Sequence, residues 1–236
     1  MSSELTVKLQ AIENRLDVLE RKRYQCPKGT DVDDSMRRAR EDTEKRGIYS
    51  AKWKWVPESY YSWPLSKRAK CLGASSVGML CKSLLMENKP APSDGKDPTN
   101  PKFVLVVIQY AATLDTRKLA NAIRSLRPVV KDRLDYSQFD FRVASPEDND
   151  RLTGYKFNSV TPFGMASGQT IPVILTEDVV PLSFLWMGGG HVHLKLGMAV
   201  CDFSKATKAI VADISQPRSG ASDEVDDDPH DLADCK

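Results

Sequence analysis

The sequence of 236 residues lacks several features that would assign it to a class at once. It has only three histidines, and its five cysteines are scattered without a CxxC pair. It contains no run of about 18 apolar residues, the length that a membrane-spanning helix needs. Its first four residues do not resemble a signal peptide. These absences predict a cytoplasmic protein with reduced thiols, without a disulfide framework and without a membrane span.

The familiar catalytic motifs are absent as well. The sequence has no GxSxG elbow, no GxxxxGK[ST] loop and no HExxH pair. His191 and His193 would share one face of a strand and could together hold a metal ion. No third histidine or cysteine follows at a suitable spacing, so we interpret both as surface or pocket-lining residues. The sequence therefore predicts no metal site and no cofactor.

Composition and charge fit a globular protein with a moderately basic centre. Hydrophobic residues make up 41% and charged residues 28% of the chain, which is enough apolar material for a core. The net charge is +2; residues 1–50 carry +1 and residues 216–236 carry −5, which leaves +6 on residues 51–215. A basic surface is compatible with a nucleic acid, because Lys and Arg displace the counterions of phosphates. Such an excess is common and does not identify a partner by itself.

The N-terminal segment carries a regular apolar pattern. Its apolar residues step by 4, 3, 4 and 3 positions, the spacing of an a/d seam: Leu5, Leu9, Ile12, Leu16 and Leu19. The pattern predicts a helix of about 20 residues that ends before Pro27 and Gly29. A helix of under three heptads is marginal alone. We interpret residues 5–19 as a coiled-coil or docking helix; the alternative is a helix packed on its own domain.

Changes in composition divide the chain into four parts. Residues 1–25 form the predicted helix, and residues 26–50 form a polar linker with a short helix at Asp34–Arg46. Residues 51–215 form the folded unit, in which the Pro/Gly/Ser-rich segment 88–102 is a surface loop. Residues 216–236 are poor in apolar side chains and rich in Asp, which predicts a disordered acidic tail.

Within the folded unit, short apolar segments alternate irregularly with helical ones. The predicted strands are Leu80–Met86, Phe103–Gln109, Phe139–Val143, Pro172–Leu175, Phe184–Met187 and His193–Met198. The predicted helices are Leu65–Leu72, Thr116–Ser125, Pro146–Leu152 and Phe203–Lys208, with Ser145 as the N-cap of the third. This order favours an α+β fold, in which helices flank a mixed sheet or partial barrel.

Three segments contain the candidate functional residues. Lys82 interrupts the apolar run Met79–Met86, and because lysine is rarely buried without a partner, it should face a cleft or an anion; the alternative is an edge-strand charge that blocks aggregation. Residues 153–164 (TGYKFNSVTPFG) are bracketed by glycines and rich in small polar residues, as in a loop that offers its backbone to a ligand. Residues 186–191 (WMGGGH) place a glycine run after a strand, which permits close backbone approach.

In this order and spacing, the three segments resemble the YbaK/prolyl-tRNA-synthetase-associated domain family. The resemblance covers about Leu65 to Ser215. The segment with Lys82 is similar to the family's strand with its functional lysine, residues 153–164 to its TGY…PxG loop, and Phe184 to Met198 to its glycine-containing hairpin. The N-terminal helical extension resembles eukaryotic members more than short bacterial ones.

The resemblance implies a mixed, barrel-like sheet and hydrolysis of the ester between a wrong amino acid and the 3′ end of tRNA. It assigns Lys82 to the terminal nucleotide, near its phosphate. The orienting loop would be Asn158, Ser159, Val160, Thr161 and Pro162. The amino-acid pocket would be lined by Gly188, Gly189 and His191. Members of the family remove cysteine, alanine or other small residues, often from proline tRNA.

Two positions depart from the family's pattern. Many members have glycine four residues before the loop proline, where this chain has Asn158. Asparagine replaces glycine most readily at positive φ, so the loop should keep its shape. Bacterial members often have serine where this chain has Gly188, which removes a hydroxyl from the presumed pocket and leaves the amino-acid specificity open.

Two alternatives compete with the editing hydrolase. A zinc-dependent alanyl-tRNA editing enzyme would need an HxxxH motif and a Cys/His pair, which the sequence lacks. A non-catalytic adaptor would use its N-terminal helix to dock into an aminoacyl-tRNA synthetase assembly. Lys82 and the loop favour the enzyme, whereas Asn158 favours the adaptor.

Overall fold

The structure is a computed structural model that describes residues 3–93, 96–167 and 171–218. Most of the predicted acidic tail, residues 219–236, lies outside the described residues. The helices are α1 (Ser3–Tyr24), α2 (Asp34–Lys45), α3 (Leu65–Leu72), α4 (Thr116–Arg124), α5 (Pro146–Thr153) and α6 (Val200–Thr207). The strands are β1 (Lys52–Trp55), β2 (Cys81–Asn88), β3 (Phe103–Gln109), β4 (Ala112–Leu114), β5 (Phe141–Val143), β6 (Val173–Thr176), β7 (Phe184–His191), β8 (Leu194–Ala199), β9 (Ile210–Ala212) and β10 (Ser215–Pro217).

The strands of the described chain form three sheets. The largest has the order β5-β2-β3-β6-β9, with β2 antiparallel to β3 and β5, and β6 parallel to β3 and β9. The second has the order β1-β8-β7 and is antiparallel, and β10 pairs with β4. The largest sheet is mixed, helices pack on it, and it does not close into a barrel. The predicted α+β fold class with a mixed sheet is confirmed.

The largest sheet is buried on both faces. On β3, Leu105 and Val107 pack toward β7, β8 and α6, where they meet residues such as Met187 and Phe203. The alternate residues Val104, Val106 and Ile108 pack toward α4. Because successive strand residues point to opposite faces, a sheet covered on both sides produces a continuous apolar run, which is why β3 reads FVLVVIQ.

Most of the predicted elements are confirmed within a few residues. Helix α3 has the predicted bounds and ends at Gly73, whose φ of +73° closes the helix. Helix α5 begins after Ser145, whose hydroxyl accepts a hydrogen bond from the Asp148 N–H at 3.1 Å, as the capping prediction requires. The strands β1, β4, β9 and β10 were not predicted; each has only three or four residues.

The N-terminal region contains two helices with different surroundings. Helix α1 is exposed along residues 4–19, and its contacts with the rest of the chain begin at Glu20. Helix α2 lies in the segment predicted as a polar linker, yet its inner face (Met36, Ala39 and Thr43) is buried. The division into four units stays a prediction. Among the described residues, no helix combines the length and apolar character needed to cross a bilayer.

Candidate active site

The loop that follows α5 adopts a backbone shape that glycine would usually provide. Asn158 has a φ of +64°, in the left-handed region, as predicted for an asparagine that replaces the family's glycine. The turn is closed by Ser159, whose N–H and hydroxyl both donate to the Lys156 carbonyl at 3.0 and 2.6 Å. Ser159, Thr161 and Pro162 are buried. The loop is therefore a fixed part of the fold.

The hairpin formed by β7 and β8 packs directly against this loop. The Gly190 N–H donates to the Ser159 carbonyl at 3.1 Å. A methyl group on Gly188 would place its Cβ 2.5 Å from the Val160 carbonyl oxygen and 3.0 Å from that of Ser159. Gly188 and the predicted loop therefore meet at van der Waals distance, and only a residue without a side chain permits this approach.

Helix α2 braces the loop from the opposite side. The Arg38 guanidinium donates to the carbonyls of Gly154 at 2.7 Å and Gly164 at 3.1 Å. The Asp42 carboxylate accepts from the Gly164 N–H at 2.8 Å. Gly190 of the hairpin also packs on this helix, since a Cβ there would lie 2.8 Å from the Ser35 carbonyl oxygen. Both ends of the loop are thus tied to a segment that precedes the main fold.

A buried lysine supports the loop through a tyrosine. The Lys195 ammonium donates to the Tyr61 hydroxyl at 2.5 Å and to the Val192 carbonyl at 2.8 Å. The Tyr61 hydroxyl in turn donates to the Asn158 carbonyl at 2.9 Å. The chain of hydrogen bonds Lys195–Tyr61–Asn158 therefore connects β8 to the residue with the left-handed backbone.

Burial changes the titration of this lysine. Lys195 is only 5% exposed, and burial, followed by the positive charge of Arg68, lowers its pKa to about 7. Its ammonium also lies 4.4 Å from the centre of the Tyr61 ring, which favours the charged form. Near neutral pH, Lys195 is poised between its charged and neutral forms.

A small cavity lies beside this network. It has a volume of about 10 Å³, roughly what a single water molecule requires. The residues that line it come from α3, its preceding turn, β2, β7, β8 and the end of β3: Tyr60, Leu72, Leu80, Cys81, Tyr110, Trp186, Met187, Gly188 and Lys195. Burial raises the pKa of the Cys81 thiol to about 12, so this cysteine stays protonated and is no nucleophile.

Lys82 lies at the edge of this region and not in the cavity lining. It stands near the start of β2, is half-buried and pairs with Ile108 of β3. Its ammonium is 5.7 Å from the centre of the Tyr110 ring, and Tyr110 does line the cavity. The Tyr110 ring therefore lies between the Lys82 ammonium and the cavity.

Of the predicted pocket residues, Gly188 lines the cavity, whereas Gly189 and His191 lie outside its lining. His191 is half-buried, its ring lies 5.3 Å from that of Trp55, and its Nδ1 accepts from the His193 N–H at 3.1 Å. Burial lowers the pKa of His191 below its usual value. Within the described residues, no three His, Cys, Asp or Glu side chains come together in an arrangement that could hold a metal ion.

A wider groove of about 690 Å³ adjoins the cavity, and both are lined by Leu72 and Trp186. Its rim carries Lys52 and Lys54, both exposed on β1. The half-buried Phe184 ring also lines it, with the Lys52 ammonium 5.3 Å from the ring centre. Positive charge beside partly exposed aromatic rings is a combination to which single-stranded nucleic acids bind.

Sequence reasoning missed Tyr61 and Lys195. The signal for Lys195 was present, because it interrupts the apolar run Leu194–Met198 just as Lys82 interrupts its own. Tyr61 carries no such signal: it lies in a short 3₁₀ turn, Glu58–Ser62, and its role depends on a contact 97 positions away in sequence.

The folded unit matches a known family of domains. Residues 68–206 match the family described as aminoacyl-tRNA editing domain. This match spans more than half of the sequence, so the chain belongs to the aminoacyl-tRNA editing domain family, and the predicted family is confirmed. A search of curated proteins gave no match.

Solved structures share the fold at low sequence identity. A candidate trans-editing enzyme for prolyl tRNA synthetase superposes with a TM-score of 0.60 at 23% identity, over 78% of this chain and 99% of that one. A computationally designed scaffold for epitope presentation gives a TM-score of 0.59 at 22% identity, over 79% and 100%. A hypothetical protein gives 0.56 at 19% identity, over 76% and 99%.

Proposed function

We propose that this chain is a cytoplasmic trans-editing hydrolase that deacylates mischarged aminoacyl-tRNA, removing a small amino acid such as cysteine or alanine from proline tRNA. The observation that carries the proposal is the contact between the Asn158–Pro162 loop and Gly188, within a chain of the editing family. An aminoacyl ester is already activated, so positioning and electrostatic stabilisation can supply much of the rate without a strong side-chain nucleophile.

In this proposal the loop orients the ester and Lys82 binds the terminal nucleotide. The loop is held from three sides, by Gly188, by Arg38 of α2 and by Tyr61, so its backbone dipoles are fixed before substrate arrives. Water attacks the ester carbonyl, the tetrahedral intermediate collapses, and the 3′ hydroxyl of the tRNA leaves with a proton. Fixed dipoles stabilise the developing oxyanion better than mobile ones, because they need not reorganise during the reaction.

The size of the cavity supports a small amino acid. A cavity of about 10 Å³ beside Gly188 admits a methyl or thiol group after slight widening, whereas a proline ring requires a larger displacement of the Leu80 and Trp186 side chains. The basic groove supports tRNA as the carrier, since Lys52 and Lys54 would face the phosphates of the single-stranded 3′ end.

The test is a deacylation assay with purified full-length protein and a panel of proline tRNAs carrying alanine, cysteine, serine or proline. We expect hydrolysis of the alanyl or cysteinyl ester and little of the prolyl ester. Asn158→Gly, which retains the positive φ, should stay active, whereas Asn158→Val, which disfavours it, should lose most activity. If the folded protein hydrolyses none of these esters, the proposed activity on proline tRNA is wrong, and the alternative of a non-catalytic adaptor of a synthetase assembly is favoured.

A further inference from the structure

Helix α1 presents an apolar seam that its own domain does not cover. The five seam side chains are between 45% and 63% exposed, and they follow one another at helical spacing: Leu5, Leu9, Ile12, Leu16 and Leu19. At 1.5 Å per residue, they form a stripe about 20 Å long. A stripe of large apolar side chains along an exposed helix is typical of an interaction surface.

The last turn of α1 fixes the direction in which the seam points. Tyr24 is buried, its ring lies 4.8 Å from the Arg40 guanidinium, and its carbonyl accepts from Trp55 Nε1 at 2.8 Å. One turn earlier, Glu20 pairs with Arg37 of α2 at 2.6 Å. When Leu9 and Leu16 are assigned to heptad position a, Tyr24 falls at heptad position b. Position b faces away from a coiled-coil partner. The domain therefore anchors the helix and leaves the seam free.

The charges beside the seam discriminate between possible occupants. The g positions Lys8, Arg15 and Lys22 are all basic, and the charged e positions Glu13 and Glu20 are both acidic. In a parallel pair of identical helices, each g position faces the e position five residues on in the other helix. Lys8 then meets Glu13 of the second copy, and Arg15 meets Glu20. In an antiparallel pair, g faces g and e faces e, so that like charges oppose each other.

We propose that the seam binds a second copy of this chain as a parallel, in-register coiled coil. Both flanking pairs are then complementary, and the identical seams bury each other. In the single chain, Lys8 already pairs with Glu4 of its own helix at 2.6 Å, and Glu20 pairs with Arg37. Because one member of each interhelical ion pair already has a partner within its own chain, these ion pairs add little affinity. With under three heptads, the dimer should be reversible and concentration-dependent. The two editing domains then lie at the same end of the coil.

Sedimentation equilibrium of the full-length protein over a concentration series tests the proposal. The wild type should shift from the mass of one chain to that of two. Ile12→Glu places two unpaired charges in the seam and should raise the dissociation constant more than about tenfold. The matched control is Val18→Glu, which makes the same kind of change at an exposed residue outside the seam and should dimerise like the wild type. Circular dichroism checks that both variants keep the helix.

Charge exchange tests the orientation. Glu13→Lys should weaken the dimer, and the double variant Lys8→Glu/Glu13→Lys should restore it. A tighter dimer for Glu13→Lys would indicate antiparallel helices and would overturn the proposed arrangement. A wild type that remains a single chain at every concentration, or an Ile12→Glu dimer as strong as the wild type, would exclude self-association through the seam. Capture of a synthetase subunit by a wild type that stays monomeric, lost in Ile12→Glu, would assign the seam to a different partner.

Discussion

Gly188→Ala gives the most direct test of the contact between hairpin and loop. The added methyl carbon would lie 2.5 Å from the Val160 carbonyl oxygen, about 1 Å closer than ordinary van der Waals contact. Both partners are backbone, so a rotamer change cannot relieve the clash, and either the loop or the hairpin must move. Overpacking of this kind typically costs about 1–3 kcal/mol, and a displacement of about 1 Å at a catalytic loop can reduce the rate about hundredfold.

The assay compares kcat/KM for deacylation with the melting temperature. For a chain of this size, we expect a fall of about 2–4 °C per kcal/mol lost, together with a loss of activity that greatly exceeds the unfolded fraction. The control is Gly78→Ala, whose Cβ would meet only side-chain atoms, Gln109 Nε2 at 3.1 Å and Ser76 Oγ at 3.6 Å. It should keep nearly full activity. A Gly188→Ala protein with wild-type rate and melting temperature would refute the inference that this close approach fixes the reactive loop.

Three further predictions concern the lysines around the site. Lys82→Ala should lower kcat/KM about ten- to hundredfold with an unchanged melting temperature. Lys82→Arg should restore only part of the activity, since a guanidinium is wider than an ammonium. A Lys82→Ala protein that is folded and fully active would contradict the proposed role of Lys82. Lys195 has its pKa lowered to about 7, so the folded state releases its proton before the unfolded state does. The free energy of unfolding should therefore rise from pH 7 to pH 9 by up to about 1.4 kcal/mol per pH unit, and urea titrations of Lys195→Met should lack this rise. Charge reversal of Lys52 and Lys54 together should weaken deacylation of full-length tRNA and flatten its salt dependence, while hydrolysis of an aminoacyl-adenosine stays unchanged; an equal loss on both substrates would place the lysines in the reaction itself.

Local patterns in the sequence predicted much of the fold. The helix cap at Ser145 depends on neighbouring residues alone, and it was predicted. The same is true of the positive φ of Asn158, because a short polar side chain is the usual substitute for glycine there. The continuous apolar run Phe103–Gln109 was predicted as a strand, and its burial on both faces was seen only in the structure.

Features that depend on distant contacts were harder to predict. Helix α2 was interpreted as part of a linker because its outer face is strongly charged, although Met36, Ala39 and Thr43 follow helical spacing and are buried. The strands β4 and β10 consist of three residues each, and they exist because they pair with each other across about 100 positions. Tyr61 could not be found from its neighbours, since its partner at Asn158 is brought close only by the fold.

The support of the loop has a consequence for how members of this family diverge. The segment that matches the family begins at residue 68, yet Arg38, Asp42 and Tyr61, which hold the loop in place, all precede it. A fragment trimmed to the shared segment would keep the loop and hairpin but lose these braces and the Lys52/Lys54 rim. A relative without α2 must stabilise its loop by other means. Changes in this upstream region can therefore alter the support of the loop without any substitution in the loop or the hairpin.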